Sequence, residues 1–234
     1  MTMDMDTLIQ MDKQLLLALN GSDSLFGDYM AKTLTTAATW IPLYVSLFYV
    51  VVKNNDNFRR ILFILCSAGL CILFAGTVDD LIVKPGVARW RPTHDYQIGI
   101  LVDVVDGYRG GKYGFFSAHA ANTFSIALFF SLLMRSRLVT LMLVGWSLTN
   151  CWTRLYLGVH YPIDILCGLL WGGIVGTGMY FLYRYADRRF CCSESDYVSS
   201  KYTSSGYKYS DLYVIALVLA VTLIYCIFRS LILA

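Results

Sequence analysis

The sequence predicts an all-α integral membrane protein, a bundle of about six transmembrane helices with an N-terminal amphipathic helix. Two observations predict it. Of the 234 residues, 57% are hydrophobic and only 15% charged, against roughly 25% charged in a soluble domain, and the mean hydropathy is +0.56. The apolar residues also gather into six runs, at 31–52, 61–81, 115–134, 138–153, 162–183 and 211–233. A helix needs about 20 residues to cross the hydrocarbon core. Five runs reach that length, and 138–153 is short enough that it should end near the interface. The composition also excludes other classes. Thirteen Phe, 17 Tyr and 5 Trp with so little charge exclude disorder. A net charge of +3 without a basic stripe excludes a nucleic-acid partner. Seven cysteines, an odd number mostly inside apolar runs, read as small hydrophobes and not as a disulfide framework.

Taken in order, residues 1–30 carry five Asp and one Lys, so they do not read as a cleaved signal peptide. Leu8, Met11, Leu15, Leu16 and Leu19 recur at helical spacing and predict a helix lying on the membrane surface, with a short packed helix as the alternative. Residues 31–183 form the core. Thr33, Thr35, Thr36 and Thr39 dilute its first run but suit a helix interface in lipid. Gly168, Gly172 and Gly176 make a small-residue face at four-residue steps for close helix contact. A polar linker at 184–210 and a terminal span at 211–234 complete the chain. The connection 82–114 is long, Gly-rich and mixed in charge, a type of loop that commonly carries function. Topological parity puts 82–114 and 154–161 on one side and 53–60, 135–137 and 184–210 on the other. The latter side holds ten of the 19 Lys and Arg. Once Lys84, Arg91 and Arg154 are set aside for chemistry, the ratio is ten to six. The positive-inside rule then puts the basic loops in the cytoplasm and the other two outside.

Three short motifs fall on that outer side: Lys84-x6-Arg91-Pro92, Phe116-Ser117-Ala118-His119, and Arg154-x5-His160-x3-Asp164. Arg presents a planar fork that matches phosphate oxygens, and Lys presents a point charge. Ser117 stands at a helix N-cap, so the N–H groups of Ala118 and His119 would point out of the helix start, a ready anion site. Together Lys84, Arg91, Arg154, Ser117 and Ala118 favour a bound dianion such as phosphate. Pro162 suits the first position of a helix. That puts Asp164 in the first turn, from which its carboxylate can reach back to His160. A carboxylate on one imidazole nitrogen fixes the tautomer and frees the other nitrogen to attack phosphorus. His119 could protonate the departing oxygen.

The three motifs resemble the signature of the type-2 phosphatidic acid phosphatase family, related to vanadium haloperoxidases: K-x6-R-P, P-S-G-H and S-R-x5-H-x3-D. The likeness spans roughly residues 79–183. Phe116, Ala118 and Thr153 depart from the pattern, standing for its Pro, Gly and Ser. The resemblance implies a core of residues 31–183 with motifs at 84–92, 116–119 and 153–164. His160 would be the nucleophile, passing through a phosphohistidine, with Asp164 orienting it and His119 protonating the leaving group. Lys84, Arg91, Ser117, Ala118 and Arg154 would surround the phosphate, with no metal and no cofactor. A helical φ at residue 118 would suit Ala, whereas a positive φ would not. The implied activity is phosphate removal from a membrane lipid phosphate by a bacterial cytoplasmic-membrane enzyme whose site faces the periplasm. Undecaprenyl diphosphate and lipid A phosphate are the favoured substrates, ahead of phosphatidylglycerophosphate and phosphatidate.

The same residues admit plainer readings. Lys84, Arg89 and Arg91 fit an interfacial snorkelling cluster. His160 and Asp164 fit a capping pair or two metal ligands, although three nearby cations oppose a divalent ion. An anion-conducting transporter or a catalytically inactive lipid-phosphate binder would use the same cations without a nucleophilic histidine.

Overall fold

The computed structural model describes residues 4–191 and 200–234, and no strand forms among them. The helices are α1 (Met5–Leu19), α2 (Leu25–Thr35), α3 (Ile41–Lys53), α4 (Phe58–Ile72), α5 (Lys84–Val87), α6 (Ala118–Met134), α7 (Arg137–Tyr156), α8 (Pro162–Phe190) and α9 (Tyr209–Leu233). Among the described residues, three helical stretches are long and apolar enough to cross a membrane: Phe58–Val87, Pro162–Phe190 and Tyr209–Leu233. A fourth span arises if Leu25–Thr35 and Ala37–Lys53, bent by 68° relative to each other, count as one. The expected count of six therefore needs α6, an apolar helix of 17 residues, and α7 as well.

The bend in the first span follows from its threonines. The Thr36 hydroxyl donates to Lys32 O at 2.8 Å, and that of Thr39 donates to Thr33 O at 2.7 Å. The Trp40 indole donates to Leu34 O at 2.8 Å. Side chains thus take up carbonyls that the break releases, which lets irregular backbone persist in a membrane protein. The second span bulges through two π-helical turns, Leu73–Thr77 and Asp79–Val83, just before Lys84. Such turns gather at functional sites.

Helix α6 is the axis of the bundle, and none of its residues is fully exposed. Helix α8 lies along it on the predicted glycine face. A Cβ on Gly168 would come within 2.6 Å of Ser117 O, on Gly172 within 2.4 Å of Ala121 O, and on Gly176 within 2.4 Å of Ser125 O. A cluster including Leu47, Ile64, Phe129, Leu143, Tyr183 and Ile215 fills the space between the remaining helices.

One boundary and one helix face differ from the sequence reading. Helix α8 runs on to Phe190, so the linker expected from residue 184 starts later, and its 192–199 stretch lies outside the described residues. Helix α1 is amphipathic in an unexpected sense. It buries Asp12 and Lys13 beside Leu16 and exposes Met5, Ile9, Met11, Leu15 and Leu19. Its face bearing Asp12 and Lys13 is turned toward the protein and its apolar face outward.

Candidate active site

The motif loops converge at one end of the bundle. After α5, Ala88 adopts a left-handed backbone (φ 50°) and ends the helix. Residues 89–91 then pair with 112–114: Arg91 N donates to Lys112 O at 3.1 Å, and Gly114 N donates to Arg89 O at 2.9 Å. Extended backbone alternates its side chains, so Arg89 and Arg91 both point inward while Trp90 packs on Tyr113 on the other face. Two glycines make room for this. A Cβ on Gly110 (φ +68°) would lie 2.9 Å from Arg91 Nη1, and one on Gly114 would lie 3.0 Å from Arg91 Cγ.

Arg91 and His160 meet directly. Arg91 Nη1 donates to His160 Nε2 at 3.2 Å and to Val159 O at 3.3 Å, and its Nε donates to Tyr113 O at 3.1 Å. A guanidinium only donates, so Nε2 carries the lone pair and the ring proton sits on Nδ1. Asp164 Oδ2 lies 3.7 Å from Nδ1. That is too long for a hydrogen bond; among the described residues Nδ1 meets no partner in hydrogen-bonding geometry, although the Gly114 backbone lies near enough to favour the ring proton. The expected reach of Asp164 is therefore shared. Its Oδ2 accepts from Tyr161 N at 2.9 Å, closing the start of α8, and its Oδ1 accepts from Arg89 at 2.7 Å. The capping role and the orienting position belong to one carboxylate.

His160 is 1% exposed. Burial first, then Arg91 and Arg154, hold its pKa well below the ordinary value. It is a neutral imidazole at neutral pH, as attack through Nε2 requires. Arg91 is itself lowered from the ordinary arginine value by burial and by Arg154. Arg154, at the end of α7 and 2% exposed, donates to Thr35 Oγ1 at 2.5 Å and from both terminal nitrogens to the Tyr108 hydroxyl at 3.2 Å. Neither Arg91 nor Arg154 has a carboxylate ion pair among the described residues. Two buried cations near one another, neither in a carboxylate ion pair among the described residues, favour a bound anion. Leaving a buried charge uncompensated costs on the order of 3–5 kcal/mol.

Lys84 behaves differently. Its ammonium lies 2.8 Å from Asp79 and 2.6 Å from Asp80, yet it still acts electrostatically on both His119 and His160. Asp79 also accepts from Phe116 N at 3.1 Å, which ties the Lys84 segment to the start of α6. Ser117 is fully buried and caps that helix, accepting from Ala120 N at 3.4 Å, while its own N–H donates to Asp164 O at 3.1 Å. Its hydroxyl accepts at the helix start and keeps its own proton to donate, so it can serve an anion together with the free N–H groups there. Ala118 is the first helical residue of α6 and its φ is not positive. Alanine is therefore compatible with a position where the family pattern has Gly. The His119 ring is half-buried and has no hydrogen-bond partner among the described residues. It lies within electrostatic reach of Arg154, His160, Arg91 and Lys84.

The structure thus brings all eight predicted residues to one end of the molecule. It adds Asp12, Thr35, Asp79, Arg89 and Tyr108, which sequence reasoning did not place in the site. Only Arg89 gave a signal, as part of a cationic cluster. Its guanidinium bridges Asp164 (2.7 Å) and Asp12 (2.6 Å) and stacks 4.1 Å from the Tyr161 ring centre. Burial works against its charge, but Asp164 and Asp12 outweigh burial and raise its pKa above the ordinary value.

A helical membrane bundle that gathers a histidine, a carboxylate and two buried guanidiniums at one end is suited to phosphoryl transfer. Comparison with known proteins gives the family: the chain belongs to the PAP2 superfamily, whose model matches residues 59–188. It is an integral membrane lipid phosphatase. It is 40% identical over 176 residues to a lipid A 4'-phosphatase of Bacteroides thetaiotaomicron, covering 75% of this chain and 78% of that one. It is 34% identical over 189 residues to a lipid A 4'-phosphatase of Porphyromonas gingivalis, covering 80% and 78%. Its fold is similar to the crystal structure of a transmembrane PAP2-type phosphatidylglycerolphosphate phosphatase from Bacillus subtilis. The TM-score is 0.57 at 17% identity, covering 79% of this chain and 88% of that one.

Proposed function

We propose that this enzyme removes a phosphate monoester from the headgroup of a lipid A-type glycolipid, through a phosphohistidine on His160. The observation that carries the reading is the 3.2 Å contact between His160 Nε2 and Arg91 Nη1, with a second buried guanidinium, Arg154, near Arg91. In the first step Nε2 forms a bond to phosphorus, the ester P–O bond breaks, and His119 gives its proton to the departing sugar oxygen. Nδ1–H faces Asp164, whose negative charge stabilises the ring as it becomes cationic. Arg91, Arg154, Lys84, the Ser117 hydroxyl and the N–H groups at Ala118 and His119 bind the non-bridging oxygens, whose charge grows in the transition state. In the second step His119 takes a proton from water, the oxygen attacks phosphorus, the P–N bond breaks and inorganic phosphate leaves. These residues need no metal, and the paired cations would repel one.

The 40% and 34% identities support lipid A phosphate over undecaprenyl diphosphate, phosphatidylglycerophosphate and phosphatidate as substrate. In this reading α6 and α7 complete six spans, and the excess of basic residues on the opposite loops puts the site on the periplasmic face of the cytoplasmic membrane. The test is phosphate release by purified protein from each of these four lipids. Release should be fastest from lipid A phosphate, and His160→Ala should abolish it, a loss of about 10⁴-fold or more. His119→Ala should cost about 10²–10⁴-fold. A fully active His160→Ala enzyme rejects the nucleophile, and equal rates on all four lipids reject the substrate assignment.

A further inference from the structure

We infer that the N-terminal helix is a working part of this active site, with Asp12 acting as a positioning residue for the His160–Asp164 pair through Arg89. The inference rests on the reading of His160 as nucleophile. Helix α1 lies outside the residues matched by the family model, which begin at 59. Asp12 is nonetheless buried, with its side chain 1% exposed, and both of its oxygens point into the site. Oδ2 accepts from Arg89 Nη2 at 2.6 Å. Oδ1 accepts from Ile163 N at 3.0 Å, one residue before Asp164. The other guanidinium nitrogen of Arg89 holds Asp164 Oδ1 at 2.7 Å. One guanidinium is thus stretched between two carboxylates, and the one on α1 fixes how Arg89 is presented to the one behind His160.

The next residue doubles the attachment. Lys13 lies 2.8 Å from Asp95, and Asp95 accepts from the Tyr161 hydroxyl at 2.9 Å. Tyr161 follows His160 in the chain and is the ring on which Arg89 stacks. Adjacent residues of α1 therefore grip both sides of the His160–Asp164 segment. The nucleophile needs this because Asp164 lies 3.7 Å from its Nδ1, beyond hydrogen-bond reach, and the carboxylate must be held by something other than the imidazole. Reacting groups misplaced by an ångström can cost about a hundredfold in rate.

Asp12→Asn separates the two tasks of the side chain. Its carbonyl can still accept from Ile163 N, while its amide offers Arg89 a donor where an acceptor is needed. The experiment measures kcat and KM for lipid A phosphate with the full-length protein, in wild type, Asp12→Asn, Arg89→Gln, the double variant and His160→Ala. Asp12→Asn should lower kcat about tenfold and leave KM within about twofold. In the Arg89→Gln background the same change should have almost no further effect, because residues acting through one another are not additive. An equal loss from Asp12→Asn in both backgrounds overturns the inference, since a purely structural role predicts additivity. So does an unchanged kcat. If Asp12→Asn does not purify as a folded protein, Asp12→Glu, which keeps the charge one methylene away, carries the same cycle. His160→Ala separates the two readings: activity in that variant removes the nucleophile assignment, whereas an inactive His160→Ala beside a fully active Asp12→Asn removes only the role of α1.

Discussion

At the scale of single residues, burial decides the chemistry. His160 is kept neutral because its charged form would sit out of water beside Arg91 and Arg154. This has a consequence for stability. In the unfolded chain the imidazole has its ordinary pKa of about 6.5, and in the folded chain its pKa is well below that. Between the two values the unfolded state binds the extra proton, so stability rises with pH across that window and falls as pH drops below about 6.5. The slope from this one group is at most about 1.4 kcal/mol per pH unit. The thermal midpoint of the wild-type protein in detergent should therefore fall between pH 7 and pH 5 by more than that of His160→Asn. Parallel curves for the two proteins would show that His160 titrates normally. Residue types and local spacing made His160, Asp164, His119 and the three cations legible, since each lies in a short motif. Asp12 was not legible, because its partner Arg89 is 77 positions away and an acidic residue on an amphipathic helix reads as solvated. Asp79 stayed hidden for the same reason: its pairing with the Phe116 amide spans 37 positions. Thr35 and Tyr108 act only through Arg154 and leave no pattern in the sequence.

At the scale of elements, the helix contact that matters most is α6 against α8, because these two helices start at the site. Ser117 N donates to Asp164 O, so the register of the two N-termini fixes His119 relative to His160. The glycine stripe sets that register by letting the backbones touch. Gly172→Val would press side-chain carbons into the backbone of Ala121, where even a Cβ would be 2.4 Å from the carbonyl oxygen. Backbone cannot rotate away as a side chain can, so the helices must part. Overpacking of this kind costs about 1–3 kcal/mol, and activity should fall with it because the two starts separate. Gly178 lies further along the same helix with nothing within 4 Å of its Cβ position. Gly178→Ala should leave activity intact and gain up to about 1 kcal/mol from helix propensity. Thermal unfolding and phosphate release measured on both variants check the contrast, and similar destabilisation of the two would mean the stripe does not set the packing. The stripe was readable at its four-residue period, but the identity of its partner was not, since spacing on one helix says nothing about which neighbour fills it. The bend between α2 and α3 was missed because threonines inside an apolar run fit a packed interface and a break equally well.

At the scale of the whole molecule, the arrangement of loops follows from counting crossings. The two motif loops were expected on one side, and they meet there together with α1, which parity also puts on that side. On the opposite end Arg60 pairs with Asp187 at 2.8 Å, and Asn54 accepts from Lys208 N at 2.8 Å, so the basic connections meet one another as well. Sidedness within the molecule was thus readable from the order of apolar runs. The number of full crossings was less so, because α6, although apolar, is only 17 residues long, short of the roughly 20 that a crossing needs. The absolute orientation rests on charge alone. Ten Lys and Arg on one side against six on the other, once the site cations are removed, favours placing Lys53, Arg135 and Arg188 in the cytoplasm and the site outside. A cysteine-free variant carrying one new cysteine decides it. Ile100 sits on the motif loop and is 94% exposed, and Asp56 lies exposed between α3 and α4. In intact spheroplasts a membrane-impermeant thiol reagent should label Ile100→Cys and leave Asp56→Cys unmodified until the membrane is permeabilised. Labelling of Asp56→Cys alone would invert the protein and force its lipid phosphate substrate into the inner leaflet.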